Sequence, residues 1–316
     1  MTVDAPTKAA VPVISMTELD ADAFAKAFGE SFQRYGFAMI TDHGLDPALV
    51  DRAWELTRAL FAQPEEQKRG YLIPGKSGAR GYTAFGTEIA KGAAHVDLKE
   101  FWHVGRDLPE GHELSDSMPP NVWPDEPAGF RETFEAMFAE FDRIGAELLA
   151  GIARYLELAP DWFDEPIRDG NSVLRLLHYP PVEGSPTGIR AEAHEDINLI
   201  TLLLGAEEAG LEILEPDGSW LPVSPPAGAL AVNVGDMLQR LTNHRLPSTT
   251  HRVTNPSTGR AAHSRYSMPF FLHLRSDWPI KTLPGCITAD SPNRYPEPIL
   301  ADDYLQERLR EIGLKK

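Results

Sequence analysis

Apolar positions along the chain recur at two different intervals, and the change falls near Asn171. Upstream the spacing is mostly helical. Phe24, Phe28 and Phe32 recur every fourth residue, behind a short apolar stretch "VPVIS" at 11–15. "YGFAMITDHGL" (35–45) predicts a strand that ends at a glycine turn, and "DPALVDRAWELTRALFA" (46–62) predicts a second amphipathic helix. The longest helix is expected over "FRETFEAMFAEFDRIGAELLAGIARYLEL" (130–158). There Phe134, Met137, Phe138, Phe141, Ile144, Leu148 and Ile152 follow at steps of three and four, a stripe suited to core packing. From Pro64 to Gly111 the chain is rich in Gly, Lys, Tyr and Phe, which predicts loops with short strands, where binding residues gather. Downstream of Asn171 come "SVLRLLHYP", "INLITLLL", "GLEILEP", "SWLPVSP", "ALAVNVG", "HRVTN" and "RYSMPFFLHL". These are short β-rich runs parted by Gly and Pro, the spacing of a sandwich or barrel. "ADDYLQERLREIGLKK" (301–316) predicts a closing helix. The expectation is one integrated α+β unit with a mainly β core: an N-terminal segment with substrate loops (1–110), helical support (111–170), the β core (171–290) and a C-terminal helix (291–316).

Alternation also assigns side chains to faces. In "AEAHEDINLITLLLG" (191–205), His194 and Asp196 share a face if the segment is a strand, and Glu195 points away. An imidazole and a carboxylate side by side suit a divalent metal, and two histidines with one carboxylate suit Fe(II) with positions left open. On its own His-x-Asp is more often a surface pair; the apolar strand behind it and the histidines on later strands raise its standing. His244, His251, His263 and His273 are all available as a third ligand. His251, which opens "HRVTN", ranks first by a modest margin, because His244 lies in a polar loop-like stretch. In "RYSMPFFLHL", Arg265, Ser267, Pro269, Phe271 and His273 fall on one face, and in "RLLHYPP" Arg175, Leu177 and Tyr179 do likewise. An arginine and a hydroxyl two residues apart can grip a carboxylate, with the Tyr179 phenol added. The plain alternatives are a strand charge for Arg265 and a core tyrosine for Tyr179.

Composition narrows the classes. A formal net charge of −17 repels phosphate backbones and anionic lipid, so neither nucleic acid nor a membrane surface is expected as a partner. Cys286 is the one cysteine, which excludes an internal disulfide and a thiolate metal cluster. The N-terminal stretch lacks the marks of a secretory signal, and no apolar run is long enough to span a bilayer. A reducing cytoplasm is the expected location. No obligate protein partner is evident.

Taken together, "HED" (194–196), "NVGDMLQRLTNHRLPSTTHRV" (233–253) and "RYS" (265–267) resemble, in order, the iron and co-substrate motifs of the isopenicillin N synthase-like non-haem iron oxygenases. Most of that family depend on 2-oxoglutarate. "VPVIS" and "GFAMITDHGL" resemble its N-terminal segment, and "GYTAFGTE" with "DLKEFWHVG" its loops before the core, so the resemblance covers nearly the whole chain. It implies a double-stranded β-helix, or jelly roll, that holds Fe(II) on His194, Asp196 and His251. The far carboxylate of 2-oxoglutarate would meet Arg265 and Ser267, with Tyr179 assisting. The implied reaction uses O2 to oxidise, most often hydroxylate, a small organic molecule while 2-oxoglutarate becomes succinate and CO2. His43 in "TDHGL" is then structural, and His178, where many relatives have asparagine, has no assigned role. The 14 residues from His251 to Arg265 are more than in plant relatives, and "NPSTGRAAHS" is expected to form a longer hairpin. Substrate contacts are expected from Phe271 and Arg175, then His273 and Asn198, with Tyr82, Phe85, Lys99 and Phe101 as lid candidates. The rival readings are an iron oxidase of the same fold that uses no 2-oxoglutarate, and a non-catalytic jelly roll that binds metal or ligand.

Overall fold

A computed structural model describes residues 10–73, 79–87, 96–181, 189–205, 210–255 and 263–311. In chain order its elements begin with β1 (Val13–Ser15), α1 (Ala21–Tyr35), β2 (Phe37–Thr41), α2 (Pro47–Phe61), α3 (Glu65–Arg69), β3 (Gly81–Thr83) and β4 (Glu100–Gly105). Then come α4 (Phe130–Tyr155), α5 (Asp164–Ile167), β5 (Val173–Tyr179), β6 (Ala191–His194), β7 (Ile200–Leu204), β8 (Leu211–Leu214), β9 (Trp220–Pro222) and β10 (Leu230–Val234). The chain continues with α6 (Asp236–Leu241), β11 (His251–Val253), β12 (Arg265–Leu272), β13 (Pro279–Ile280), β14 (Ile299–Leu300) and α7 (Ala301–Glu311).

Local chemistry accounts for the helix boundaries. Asp20 caps α1, accepting from the Asp22 and Ala23 amides at 3.1 and 2.8 Å, and Gly36 ends it in the left-handed region at φ 64°. Asp46 caps α2, with Pro47 opening the helix. In α4 the stripe read from the sequence is buried, and Phe141 stacks on Phe270 of β12 with ring centroids 5.5 Å apart. Gly145 lets the two approach closely: a Cβ on it would lie 2.2 Å from Leu272 Cδ1, so that the leucine would have to move.

Among the described residues, eight strands form the larger sheet in the order β1-β2-β10-β7-β12-β5-β4-β3, and four form the smaller, β6-β11-β8-β9. Strands from the first 110 residues occupy both edges of the larger sheet, so that segment is built into the core. The two faces of the larger sheet divide by alternation. Leu174, Leu176, Ile200, Leu202, Met268 and Phe270 join the core under the helices. Arg175, Leu177, Tyr179, Thr201, Leu203, Arg265, Ser267 and Phe271 face a cavity whose other wall is Ala191, His194, Leu211, His251 and Val253 of the smaller sheet. Two sheets facing each other across a lined interior form the double-stranded β-helix.

Candidate metal centre

His194 closes β6 and His251 opens β11, and the two are direct register partners across the antiparallel ladder. Asp196 is not on the strand. β6 ends at His194, and the chain turns across 195–199 from the smaller sheet to the larger before β7 begins. Strand alternation therefore does not explain why Asp196 joins His194. Backbone bonds from the start of α6 do: the Asp236 amide donates to Asp196 O at 2.7 Å, and the Gly235 amide to Leu199 O at 2.8 Å. Gly235 is needed for this approach, since a Cβ on it would meet Asn198 O at 2.2 Å. Glu195 is exposed and accepts from Thr250 Oγ1 at 2.9 Å, away from the centre.

Ligand atoms of His194, Asp196 and His251 lie within 4.8 Å of one another. His194 Nε2 is 3.9 Å from Asp196 Oδ1, and His251 Nε2 is 4.0 Å from Asp196 Oδ2. Each imidazole sets its Nδ1 against a backbone carbonyl two residues back, His194 on Glu192 O at 2.7 Å and His251 on Thr249 O at 3.1 Å. A carbonyl oxygen only accepts, so Nδ1 carries the proton and both Nε2 lone pairs are left for a metal. Asp196 Oδ2 accepts from Thr201 Oγ1 at 2.6 Å and from Asn233 Nδ2 at 2.8 Å.

Electrostatics suit the same task. Burial, with His251 alongside, lowers the His194 pKa to about 4, so the ring is neutral at pH 7. For Asp196, burial acts to raise the pKa, yet His251, His194 and the bonds from Asn233 and Thr201 outweigh it and hold the carboxyl below its ordinary value. Two imidazoles and a carboxylate are the donor set of a facial Fe(II) site.

The rest of the cavity brings most of the sequence-predicted residues together. Arg265 is 4% exposed and is the register partner of Tyr179, and its guanidinium lies 5.0 Å from that ring's centroid. Its Nη1 donates to Ser267 Oγ at 3.5 Å. Phe271 and Arg175 line the cavity as well.

Two predicted substrate residues do not line it. His273 falls one residue past the end of β12, so the alternation that should have carried it inward has stopped; it is buried, with its amide donating to Ser172 Oγ. Asn198 donates to Ile200 O at 2.8 Å and Thr201 Oγ1 at 3.0 Å, so its side chain braces the turn behind Asp196. Of the other histidines, His263 is exposed ahead of β12, and His244 meets the Tyr295 hydroxyl at 2.6 Å. His43 ties the N-terminal segment to Gly228 O at 2.8 Å. His178 is buried on the face turned away from the cavity, between Glu100 Oε1 at 2.7 Å and Ser264 Oγ at 3.0 Å.

The lid candidates separate. Phe101 and Lys99 stand at the cavity, Lys99 paired with Asp97 at 2.8 Å; Tyr82 is buried with its hydroxyl set between the Glu65 and Glu100 carboxylates; Phe85 is exposed. Most of "NPSTGRAAHS" lies outside the described residues. Sequence reasoning missed the roles of Thr201 and Asn233. Thr201 could have been found by parity, because it shares a cavity-facing alternation with Leu203 on β7.

A jelly roll with two histidines and a carboxylate converging inside it defines a non-haem iron protein of the oxygenase class. Comparison with known proteins agrees. The family model described as the 2OG-Fe(II) oxygenase superfamily matches residues 170–274, and that of the non-haem dioxygenase N-terminal region (named for morphine synthesis) matches 11–126. The chain is similar to the proline hydroxylase buaE of Petromyces alliaceus, at 35% identity over 303 residues, 91% of this chain and 93% of that one. Among solved structures it resembles a 2OG-Fe(II) oxygenase family protein from Caulobacter crescentus. That match has a TM-score of 0.90 and 54% identity, and covers 97% of this chain and 100% of the other. It also resembles Neurospora crassa T7H, solved with alpha-KG and thymine, with a TM-score of 0.84 and 29% identity, covering 95% and 96%. The chain belongs to the 2-oxoglutarate–Fe(II) oxygenase superfamily, and it is a 2-oxoglutarate- and Fe(II)-dependent dioxygenase.

Proposed function

We propose that His194, Asp196 and His251 hold the Fe(II), that Arg265, Ser267 and Tyr179 take the far carboxylate of 2-oxoglutarate, and that the enzyme hydroxylates a small organic molecule. The observation that carries this reading is the convergence of the three side chains, two from the 194–196 stretch and one from the start of β11, inside the cavity that also holds Arg265 and Ser267. When bound, iron supplies the activation of O2 that the protein's own groups lack.

The chain's residues orient and exclude. Carbonyls fix the imidazole tautomers, Thr201 and Asn233 orient the carboxylate, and Arg265 with Ser267 sets one end of the co-substrate. Apolar walls from Phe37, Leu203, Leu211 and Val253 exclude bulk water from the reacting carbon. Phe271 and Arg175 are the substrate contacts. Thymine bound to T7H supports a small-molecule substrate. Among the described residues no helix is long and apolar enough to cross a membrane. A reducing cytoplasm suits ferrous iron and the single thiol of Cys286.

The test needs no substrate. Fe(II) and then 2-oxoglutarate are added anaerobically to the metal-free protein, and the visible charge-transfer band of the chelate is sought, with His251→Ala as control. A band lost in the control is expected. Iron binding without a band would overturn the co-substrate assignment, and an undiminished band in His251→Ala would overturn the ligand set.

A further inference from the structure

We propose that Arg175 anchors a carboxylate of the primary substrate, so that the enzyme selects small, partly apolar carboxylic acids. This deepens the oxygenase reading of the same cavity and rests on it.

Arg175 is held on several sides. Its guanidinium lies 4.3 Å from the ring centroid of Phe101 and 5.1 Å from that of Phe271, and its Nε donates to His103 Nε2 at 2.6 Å. A guanidinium sandwiched by rings and pinned at Nε has lost most of its rotamer freedom before any ligand arrives. Such a fixed fork matches the planar, two-oxygen edge of a carboxylate.

Position separates this arginine from the co-substrate clamp. Tyr179, the partner of Arg265, lies four residues along β5 from Arg175, about 13 Å at about 3.3 Å per residue. The same wall therefore carries two arginines well apart, one beside Ser267 and Tyr179 and the other between two phenyl rings. The phenyl rings beside the guanidinium give the acid's body an apolar surface to lie on.

The test is made on the metal-free protein, so its outcome is independent of the chelate experiment above. Benzoate, 3-phenylpropionate and hexanoate, each beside its methyl ester, are titrated calorimetrically into the unsubstituted protein and into Arg175→Met, Arg175→Lys and Arg265→Met. At least one acid should bind at least about tenfold more tightly than its ester. Arg175→Met should abolish that preference, Arg175→Lys keep part of it, and Arg265→Met keep it whole, with melting temperatures confirming that each variant is folded. Esters binding as well as the acids, no acid binding, or a preference that survives Arg175→Met and vanishes in Arg265→Met would each overturn the proposal. The last result would put the acids in the co-substrate clamp instead.

Discussion

His194 and His251, 57 residues apart in sequence, are paired directly across the β6–β11 ladder with ring centroids 4.4 Å apart. The hydrogen-bonded register of two short strands thus sets the spacing of the two proposed metal donors, and Asp196 completes the proposed set from the turn that follows. Replacing a ligand side chain leaves the backbone ladder in place. His194→Ala and Asp196→Ala are therefore expected to lose stoichiometric iron and all turnover while keeping the far-UV circular dichroism of the parent. Full iron-dependent activity in either would remove that residue from the centre.

Asp196 does not orient itself. Its Oδ2 is held by Thr201 and Asn233, and such supporting bonds typically govern 10–100-fold, as an order of magnitude, in metal affinity. Thr201→Val and Asn233→Leu should each weaken Fe(II) binding by roughly that factor, read by competition with a chelator. Unchanged affinity in both would mean that the metal alone orders the carboxylate.

Arg265 and Ser267 are not among the three metal-ligating candidates, so their loss should act on the co-substrate and not on iron. Charge-assisted hydrogen bonds contribute about 1.5–3 kcal/mol, which puts the rise in the 2-oxoglutarate dissociation constant for Arg265→Ala at roughly 10- to 100-fold. Ser267→Ala should show a smaller rise. Anaerobic titration of the chelate band measures both, and an unchanged constant in Arg265→Ala would exclude the clamp.

The histidines also make stability depend on pH. Burial, joined at His194 by the nearby His251, lowers both His194 and His273 to about 4 in the fold, whereas an unfolded imidazole titrates near 6.5. Between those values the unfolded chain binds more protons, so the metal-free protein loses stability as the pH falls from about 6.5 towards 4. For the buried His273 the loss reaches about 3 kcal/mol at most. His194 contributes less, because its side chain is 36% exposed to the cavity. Urea denaturation at stepped pH should show the decline, made shallower by His273→Gln; a flat profile across that window would contradict it.

Much of this protein is determined by the sequence itself, because the causes are local. Alternation in "RYSMPFFL" and "VLRLLHY" is a property of extended backbone, so Arg265, Ser267, Phe271, Arg175 and Tyr179 could be placed on one wall before any contact was known. The Phe and Leu stripe of α4, the Asp20 and Asp46 caps and the glycine after α1 follow from short-range geometry in the same way. The motif order in "HED", "THRV" and "RYS" carried the resemblance to the iron oxygenases, and with it the choice of His251 over three other histidines.

Tertiary structure decided what depends on where strands stop and what packs across them. Alternation holds only while the strand lasts: β12 ends at Leu272, so His273 turns aside, and β6 ends at His194, so Asp196 owes its place to the amides that begin α6. Asn198 became a brace because its amide donates to Ile200 O and Thr201 Oγ1, inside the turn and away from the cavity. Thr201 and Asn233 support Asp196 from strands β7 and β10, adjacent in the sheet through a pairing between residues some 30 positions apart, which no local pattern encodes. The ligand types were set by residue chemistry along the chain; their convergence was set by long-range strand pairing, which only the folded backbone specifies.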